Sequence, residues 1–304
     1  MNLLIRELVG QTQAVELLNQ ALKKQRIAPA YLFYGSEGIG KSLTAEAFSQ
    51  VLLGLKSRTS LINHPDFFRV EPSYLVNGKL LTPGEAAESG VKRKASPTIK
   101  IEQIREITEF LSRPPLKSDR SVVMIEDAHT MAEAAGNALL KTLEEPGRAT
   151  LILIAPSPDS LLSTLVSRCQ GIPFYRLSES ELAEVLNLKG YEGLEYNSLL
   201  MAIAQGSPGA AILGYRQLQI IGKELLQKLQ TPITNPLDVF AIAKLITTEL
   251  DNETQLWLID YLQYFYWQKQ QNRTIIEELE KAKKLLKKFV QPRLVWECCL
   301  LKLC

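Results

Sequence analysis

The sequence predicts an α/β domain with a mainly parallel sheet flanked by helices, followed by a small helical segment and then an all-helical remainder. Two observations carry this. In the first half, apolar runs of strand length, Tyr31–Tyr34, Val122–Ile125 and Leu151–Ile154, alternate with segments of helical periodicity. That is the pattern of βα units, whose parallel strands are buried on both faces. From Ser178 onward strand signals vanish, and helical segments follow one another to the end.

The elements can be justified in order. Residues 11–25 place Val15, Leu18 and Leu22 at helical spacing, which predicts an amphipathic helix. Pro29 interrupts it, the apolar run at Tyr31 reads as a buried strand ending at Gly35, and Leu43–Leu53 is again helical. Asn77-Gly78 between Tyr74-Leu75-Val76 and Leu80-Leu81 predicts a type I′ hairpin. Pro83-Gly84, the basic run Lys92-Arg93-Lys94 and Ser96-Pro97 then indicate a surface insert within 73–100. Helical spacing resumes at Ile101, with Ile104, Ile107, Phe110 and Leu111 on one face, and a further helix over 130–145 is ended by Pro146-Gly147. Ser178 and Glu181 have capping-box spacing, and Gly206-Ser207-Pro208-Gly209 breaks the helical half. These signals divide the chain at 1–177, 178–218 and 219–304.

Composition narrows the class. The chain has 304 residues, 46% hydrophobic and 22% charged, enough apolar material for sizeable cores. No apolar run approaches the roughly 20 residues of a membrane helix. The N-terminal Met-Asn-Leu-Leu-Ile-Arg-Glu does not read as a signal peptide. Cys169, Cys298, Cys299 and Cys304 make neither a disulfide framework nor a zinc pattern, which favours a reducing cytoplasm. A net charge of +2 is weak for a protein that grips DNA alone, so any contact with DNA is shared with partners.

Gly35-Ser36-Glu37-Gly38-Ile39-Gly40-Lys41-Ser42 fits the pattern G-x-x-x-x-G-K-[ST] in full, between a predicted strand and a predicted helix. The glycines let backbone N–H groups turn inward around phosphate oxygens, and the helix presents its positive end to the same anion. Lys41 is expected on the β- and γ-phosphates of ATP, and the Ser42 hydroxyl on Mg²⁺. Hydrolysis needs an acid pair at the end of a second strand, an Asp for the metal and then a Glu for the attacking water. Here the order is reversed, Glu126 then Asp127. Because misplacement by about 1 Å can cost on the order of a hundredfold in rate, weak or absent turnover is expected.

Further residues carry a family resemblance. Leu8-Val9-Gly10-Gln11 before the P-loop is similar to the opening of AAA+ clamp-loader subunits of bacterial DNA polymerase III. The run from Asn137 to Pro146 (NALLKTLEEP) and the triplet Ser167-Arg168-Cys169 are similar to signatures of that family. Ile101–Arg105 and Gly206–Ala211 resemble its delta-prime members more than gamma, and Gln291–Glu297 resembles the closing helix of the collar. The resemblance implies an AAA+ core, a helical lid and a helical collar. It also implies a hetero-pentameric ring with gamma/tau and delta subunits, and the sliding clamp and primer-template DNA as partners through that ring. Val9 and Gly10 would join the nucleotide site, and Arg168 would act in trans on the neighbouring subunit's ATP.

Departures from the family pattern matter as well. The insert after the P-loop helix carries no zinc-ligating cysteines, and His64 alone makes no site, so zinc is not expected. Ala155-Pro156-Ser157 stands where a polar sensor is expected, and Gly209 where a second sensor has arginine. Cys169 reads as a packing residue. Lys92, Arg93, Lys94 and Lys100 read as a solvated loop before a DNA contact. The run Lys281–Lys288 reads as the wet face of a collar helix, alternating with Leu285, Leu286 and Phe289. Trp257, Tyr264, Phe265, Tyr266 and Trp267 read as collar core or subunit interface. Two alternatives stay open: an active motor of gamma/tau type, and an unrelated P-loop enzyme such as a small-molecule kinase.

Overall fold

The computed structural model describes residues 8–55, 59–76, 78–88, 96–231, 233, 235–270 and 273–302. The chain forms two compact units, Met1–Glu181 and Leu182–Cys304. In the first, the chain runs α1 (Thr12–Lys23), β1 (Ala30–Tyr34), α2 (Lys41–Leu52), α3 (Thr59–Ile62), β2 (Phe67–Val70), β3 (Tyr74–Val76), β4 (Lys79–Leu81) and α4 (Pro83–Glu88). It continues through α5 (Ile101–Leu111), β5 (Ser121–Ile125), α6 (Glu133–Glu144), β6 (Ala149–Ala155), α7 (Ser163–Val166) and β7 (Gln170–Pro173).

Five strands form one sheet in the order β2-β5-β6-β1-β7, and every pairing is parallel. The side chains of the central strands alternate between two cores. Leu32, Val123, Ile125, Leu151 and Leu153 meet Ile104 and Ile107 of α5 and Leu139 and Leu143 of α6. Tyr31, Phe33, Val122, Met124, Ile152 and Ile154 meet Ala14 and Leu18 of α1 and Ala45 and Phe48 of α2. Burial on both faces is why these strands read as continuous apolar runs. The expected α/β core is therefore the observed one.

Two edge strands add to the expectation. Phe67–Val70 carries an arginine, and Gln170–Pro173 carries a glycine and a proline. Neither has the apolar density of a central strand, and an edge tolerates both. The hairpin expected around Asn77-Gly78 forms as the antiparallel pair β3–β4, with Tyr74 opposite Leu81. Asn77 itself lies outside the described residues, as do Lys92, Arg93 and Lys94. Lys100 lies within them, at the start of α5.

α8 (Glu179–Leu188) opens on the expected capping box. The Glu181 carboxylate accepts from the Ser178 backbone N–H and hydroxyl, both at 2.8 Å. The second unit continues with α9 (Ser198–Ala204), α10 (Pro208–Ile221), α11 (Lys223–Gln230), α12 (Pro236–Glu249), α13 (Asn252–Gln270), α14 (Arg273–Lys287) and α15 (Pro292–Leu301). At the Gly206–Gly209 break, Ser207 caps α10 by accepting from the Ala210 N–H, and Pro208 takes the first helical position. Residue 218 lies inside α10.

The core of the second unit gathers Val239, Ile242 and Ile246 of α12, Leu258, Leu262 and Phe265 of α13, Leu279 and Leu286 of α14, and Trp296 of α15. Phe265 and Tyr266 are buried and Trp267 is exposed, so the aromatic stripe splits between interior and surface. Of Leu285, Leu286 and Phe289, only Leu286 is buried. Of the neighbouring lysines, Lys281 pairs along α14 with Glu278 at 2.6 Å, whereas Lys283 reaches across to Asp260 of α13. Among the described residues no helix is long and apolar enough to cross a membrane.

Candidate functional site

The chain leaves β1 at Tyr34 and turns through Gly35 with φ of 145°. A Cβ at Gly35 would stand 2.4 Å from the carbonyl oxygen of Phe174, so the backbone crossing there excludes any side chain. Ser36, Glu37, Gly38 and Ile39 complete the turn, with Ile39 buried in the core. Gly40, at φ of 102°, caps α2, whose first turn contains no acidic residue. No side chain of that turn itself opposes the positive helix end facing the loop.

Lys41 opens α2, and its ammonium donates to the carbonyls of Gly35 and Ser36, both at 2.6 Å. Burial lowers its pKa, against which the carboxylates of Glu37, Asp127 and Glu126 act. Turned glycines, a bare helix terminus and an ammonium spanning the loop form a donor set that fits a polyphosphate.

Glu126 follows β5 directly and is buried. Its Oε2 accepts from the Ser42 hydroxyl at 2.8 Å, so the first acid of the reversed pair stands beside the expected metal-binding serine. That donor chemistry fits a hard cation held with the phosphates. Burial raises the Glu126 pKa, opposed by the Ser42 bond and the Arg69 charge. Asp127 is exposed and adopts φ of 44° and ψ of 47°. The longer acid thus takes the place beside Ser42, and the shorter one follows it in an exposed left-handed turn, near enough to act on Lys41 and Glu126.

Sequence reasoning missed Arg69. Register places it opposite Met124 on β5, and its guanidinium reaches Glu126 at 3.1 Å, Glu46 at 3.3 Å and Glu71 at 2.7 Å. Gln11 is a second addition. Its side chain donates to the Tyr175 carbonyl at 2.7 Å and accepts from the Tyr175 N–H at 3.1 Å, which ties the segment carrying Val9 and Gly10 to the chain after β7. The Gln11 amide also reaches the Ile39 carbonyl of the P-loop at 3.3 Å. Arg176 Nε donates to the Ser36 hydroxyl at 3.2 Å. These contacts join positions far apart in the chain, so no local pattern announces them.

Arg168 is separate from this cradle. It precedes β7, whose Gln170 pairs with Tyr31 near the start of β1, whereas the P-loop leaves the end of β1. In a parallel sheet those are opposite ends of the strands. The guanidinium is partly exposed and is held by Glu144 at 2.8 Å and the Thr164 carbonyl at 3.0 Å. It is therefore placed away from this chain's own phosphate loop. Cys169 beside it packs on the core, and burial pushes its thiol up to about 11, outside the range of a nucleophile at neutral pH. Ser157 caps a short 3-10 turn, and its carbonyl accepts from the Ser160 hydroxyl. His64 Nδ1 accepts from the Asp66 N–H at 3.2 Å.

Known proteins resemble both units. The family described as DNA polymerase III, delta subunit matches residues 10–178. The family described as cyanobacterial DNA polymerase III delta prime, C-terminal domain, matches residues 180–303. DNA polymerase III subunit delta′ of Bacillus subtilis is 32% identical over 189 residues, covering 58% of this chain and 51% of the relative. The subunit delta′ of Pseudomonas aeruginosa is 34% identical over 199 residues, covering 60% and 54%. The matched regions thus span about half the length of these curated relatives. A DNA polymerase III gamma subunit-related protein of Thermotoga maritima superposes with a TM-score of 0.60 at 17% identity, covering 95% of this chain and 97% of that one. That likeness establishes the fold alone.

Proposed function

Since the chain belongs to the DNA polymerase III, delta subunit family, we propose that it serves in the cytoplasm as a clamp-loader subunit of delta-prime type. It holds ATP in its own P-loop, turns it over weakly or not at all, and lends Arg168 to the neighbouring subunit. The partners are gamma/tau and delta subunits in a hetero-pentameric ring, and through that ring the sliding clamp and primer-template DNA. Residues 178–218 form the lid and 219–304 the collar by which the ring assembles.

The observation that carries this reading is the separation of Arg168 from the phosphate loop across the length of β1. An exposed arginine at the opposite end of the strands from its own phosphate loop is suited to a phosphate bound by another subunit. There its charge offsets the negative charge that develops on the transferring phosphoryl group.

Within the chain, the backbone from Gly35 to Gly40 and the ammonium of Lys41 bind and orient the phosphates. Ser42 and Glu126 would hold Mg²⁺, which supplies charge neutralisation at the phosphate oxygens. Gln11, held to the Ile39 carbonyl and to Tyr175, would bring the preceding Val9 and Gly10 to the nucleotide. Glu126 engages Ser42 while Asp127 is exposed in a left-handed turn, so the two acids do not continue the strand as an Asp-Glu pair would. This supports holding nucleotide over turning it over.

An active motor of gamma/tau type is the alternative, and the acid kept beside Ser42 is the observation in its favour. The deciding experiment reconstitutes the ring with Arg168→Ala and measures ATP hydrolysis, alongside steady-state turnover of the isolated chain. Reduced ring hydrolysis with negligible turnover by the chain alone supports the proposal. Unchanged ring hydrolysis refutes the arginine role. Turnover by the isolated chain above about 1 s⁻¹ that Lys41→Ala abolishes refutes the holding role.

A further inference from the structure

Arg69 has no part in the function just described, yet it touches the acid at the centre of the site. It lies on the edge strand β2, and its three guanidinium nitrogens each meet a different carboxylate. Nη2 is 3.1 Å from Glu126 Oε1, Nη1 is 3.3 Å from Glu46 Oε1, and Nε is 2.7 Å from Glu71 Oε1. One permanent charge thus gathers acids from α2, from the segment after β2 and from the end of β5. The other oxygen of Glu126 accepts from Ser42. The hydroxyl and the acid that would hold a cation beside a nucleotide are bound to each other, and the acid already shares a resident cation with two other carboxylates.

We propose that Arg69 is a resident counter-cation for Glu126, a positioning residue that makes nucleotide binding in this cradle depend little on Mg²⁺. The proposal rests on the nucleotide-holding reading above. A divalent ion approaching Glu126 must displace the guanidinium or share the carboxylate with it, and either reduces what coordination gains. Without Arg69, Glu46, Glu71 and Glu126 would face one another across a partly buried space, an arrangement that a hard divalent cation relieves.

The test is calorimetric titration of the full chain with ATP, in Mg²⁺ and in EDTA, for wild type, Arg69→Met and Arg69→Lys. Wild-type affinities in the two buffers should agree within about threefold, whereas Mg²⁺ should tighten binding to Arg69→Met about tenfold or more, with Arg69→Lys between them. A second measurement uses the metal alone. Mg²⁺ without nucleotide should raise the melting temperature of Arg69→Met and leave wild type unchanged, and adding Glu126→Gln to the variant should abolish the rise. Should Arg69→Met fail to fold, Arg69→Lys carries both measurements.

A tenfold Mg²⁺ dependence already present in wild type, or an equal dependence in wild type and variants, overturns the counter-cation and leaves nucleotide holding intact. Absence of ATP binding in either buffer overturns nucleotide holding instead. The melting shift with Mg²⁺ alone then decides Arg69: a shift confined to the variant upholds the proposal, and equal shifts sink it.

Discussion

Arg168 donates to the Glu144 carboxylate at 2.8 Å, and so joins the residue before Cys169 to the end of α6. The pair is exposed on both sides, with side chains 37% and 53% accessible, and such pairs contribute about 0–1 kcal/mol. Arg168→Ala should therefore leave the melting temperature of the isolated chain nearly unchanged, together with its ATP affinity. In the assembled ring, single-turnover hydrolysis at the neighbouring site should slow by about 10³-fold, the lower range for a trans arginine. Rapid-quench measurement on the reconstituted ring checks this, and a large loss of melting temperature would show that Arg168 is structural.

Lys41 bridges the carbonyls of Gly35 and Ser36, so it both shapes the loop and offers charge to a phosphate. Hydrogen bonds to charged groups contribute about 1.5–3 kcal/mol, so Lys41→Ala should weaken ATP binding by roughly ten- to a hundredfold. Titration calorimetry on the isolated chain measures this. Equal affinity in variant and wild type would place the nucleotide elsewhere.

Gly10 has φ of 75°, and a Cβ there would lie 2.3 Å from Leu177 Cδ2 and 3.0 Å from the Glu181 carboxyl carbon. Leu177 can swing aside, but the left-handed backbone still costs about 1–2 kcal/mol for a residue with a side chain. Gly10→Ala should lower the melting temperature and, by shifting Val9 and the Gln11 clamp, weaken ATP binding as well. A variant with wild-type values for both would remove this segment from the site.

The P-loop was legible because its chemistry occupies eight consecutive residues, Gly35 to Ser42, between a strand and a helix of clear periodicity. The central strands were legible because burial on both faces leaves Val122–Ile125 and Leu151–Ile154 without a polar residue. Arg69 was not, since its contact with Glu126 exists only through the register of β2 on β5, and Phe67–Val70 is too short and mixed to declare itself a strand. Gln11 escaped for the same reason, its partner Tyr175 lying at the far end of the unit. The reversed acids were visible as letters. Their consequence, Glu126 beside Ser42 and Asp127 in a left-handed turn, depends on backbone angles that the order of letters does not contain.

Asp66 predicts a pH dependence. Its carboxylate accepts three backbone N–H groups, from Leu116 at 2.6 Å and from Lys117 and Ser118 at 2.8 Å, pinning the loop before β5 to the start of β2. Burial, the largest single influence, pushes its pKa up, but the three N–H bonds and the nearby His64 together outweigh it, and the net shift is downward. A depressed carboxyl binds its proton more weakly in the folded state than in the unfolded one. Its stabilisation is therefore complete above the unfolded value of about 3.9 and fades as pH falls through the folded value. Asp66→Asn should cost about 1.5–3 kcal/mol at pH 7, the scale of bonds to a charged acceptor, and progressively less below pH 4. Urea denaturation of both forms across that range checks the trend, and a gap that stays constant with pH would assign the effect to packing.

Trp296 offers the matching test in the second unit. It is fully buried in the helical core, and its Nε1 donates to Gln255 Oε1 at 2.9 Å, while the Gln255 amide donates to the Leu250 carbonyl at 2.8 Å. α15 is thereby joined to α13 and to the end of α12 by one polar chain inside an apolar interior. Trp296→Ala removes both the ring and the donor and should cost about 3–5 kcal/mol. Trp296→Phe keeps most of the volume but strands the Gln255 oxygen, at about 1–3 kcal/mol. Pairing Trp296→Phe with Gln255→Leu replaces both polar partners, so the double variant should recover part of that loss, although the amide bond to Leu250 is given up with it. Denaturation of the four proteins reads this as a cycle. Strict additivity of the two single losses would mean that the indole and the amide stabilise the core independently, and that their hydrogen bond contributes nothing to holding α15 in place.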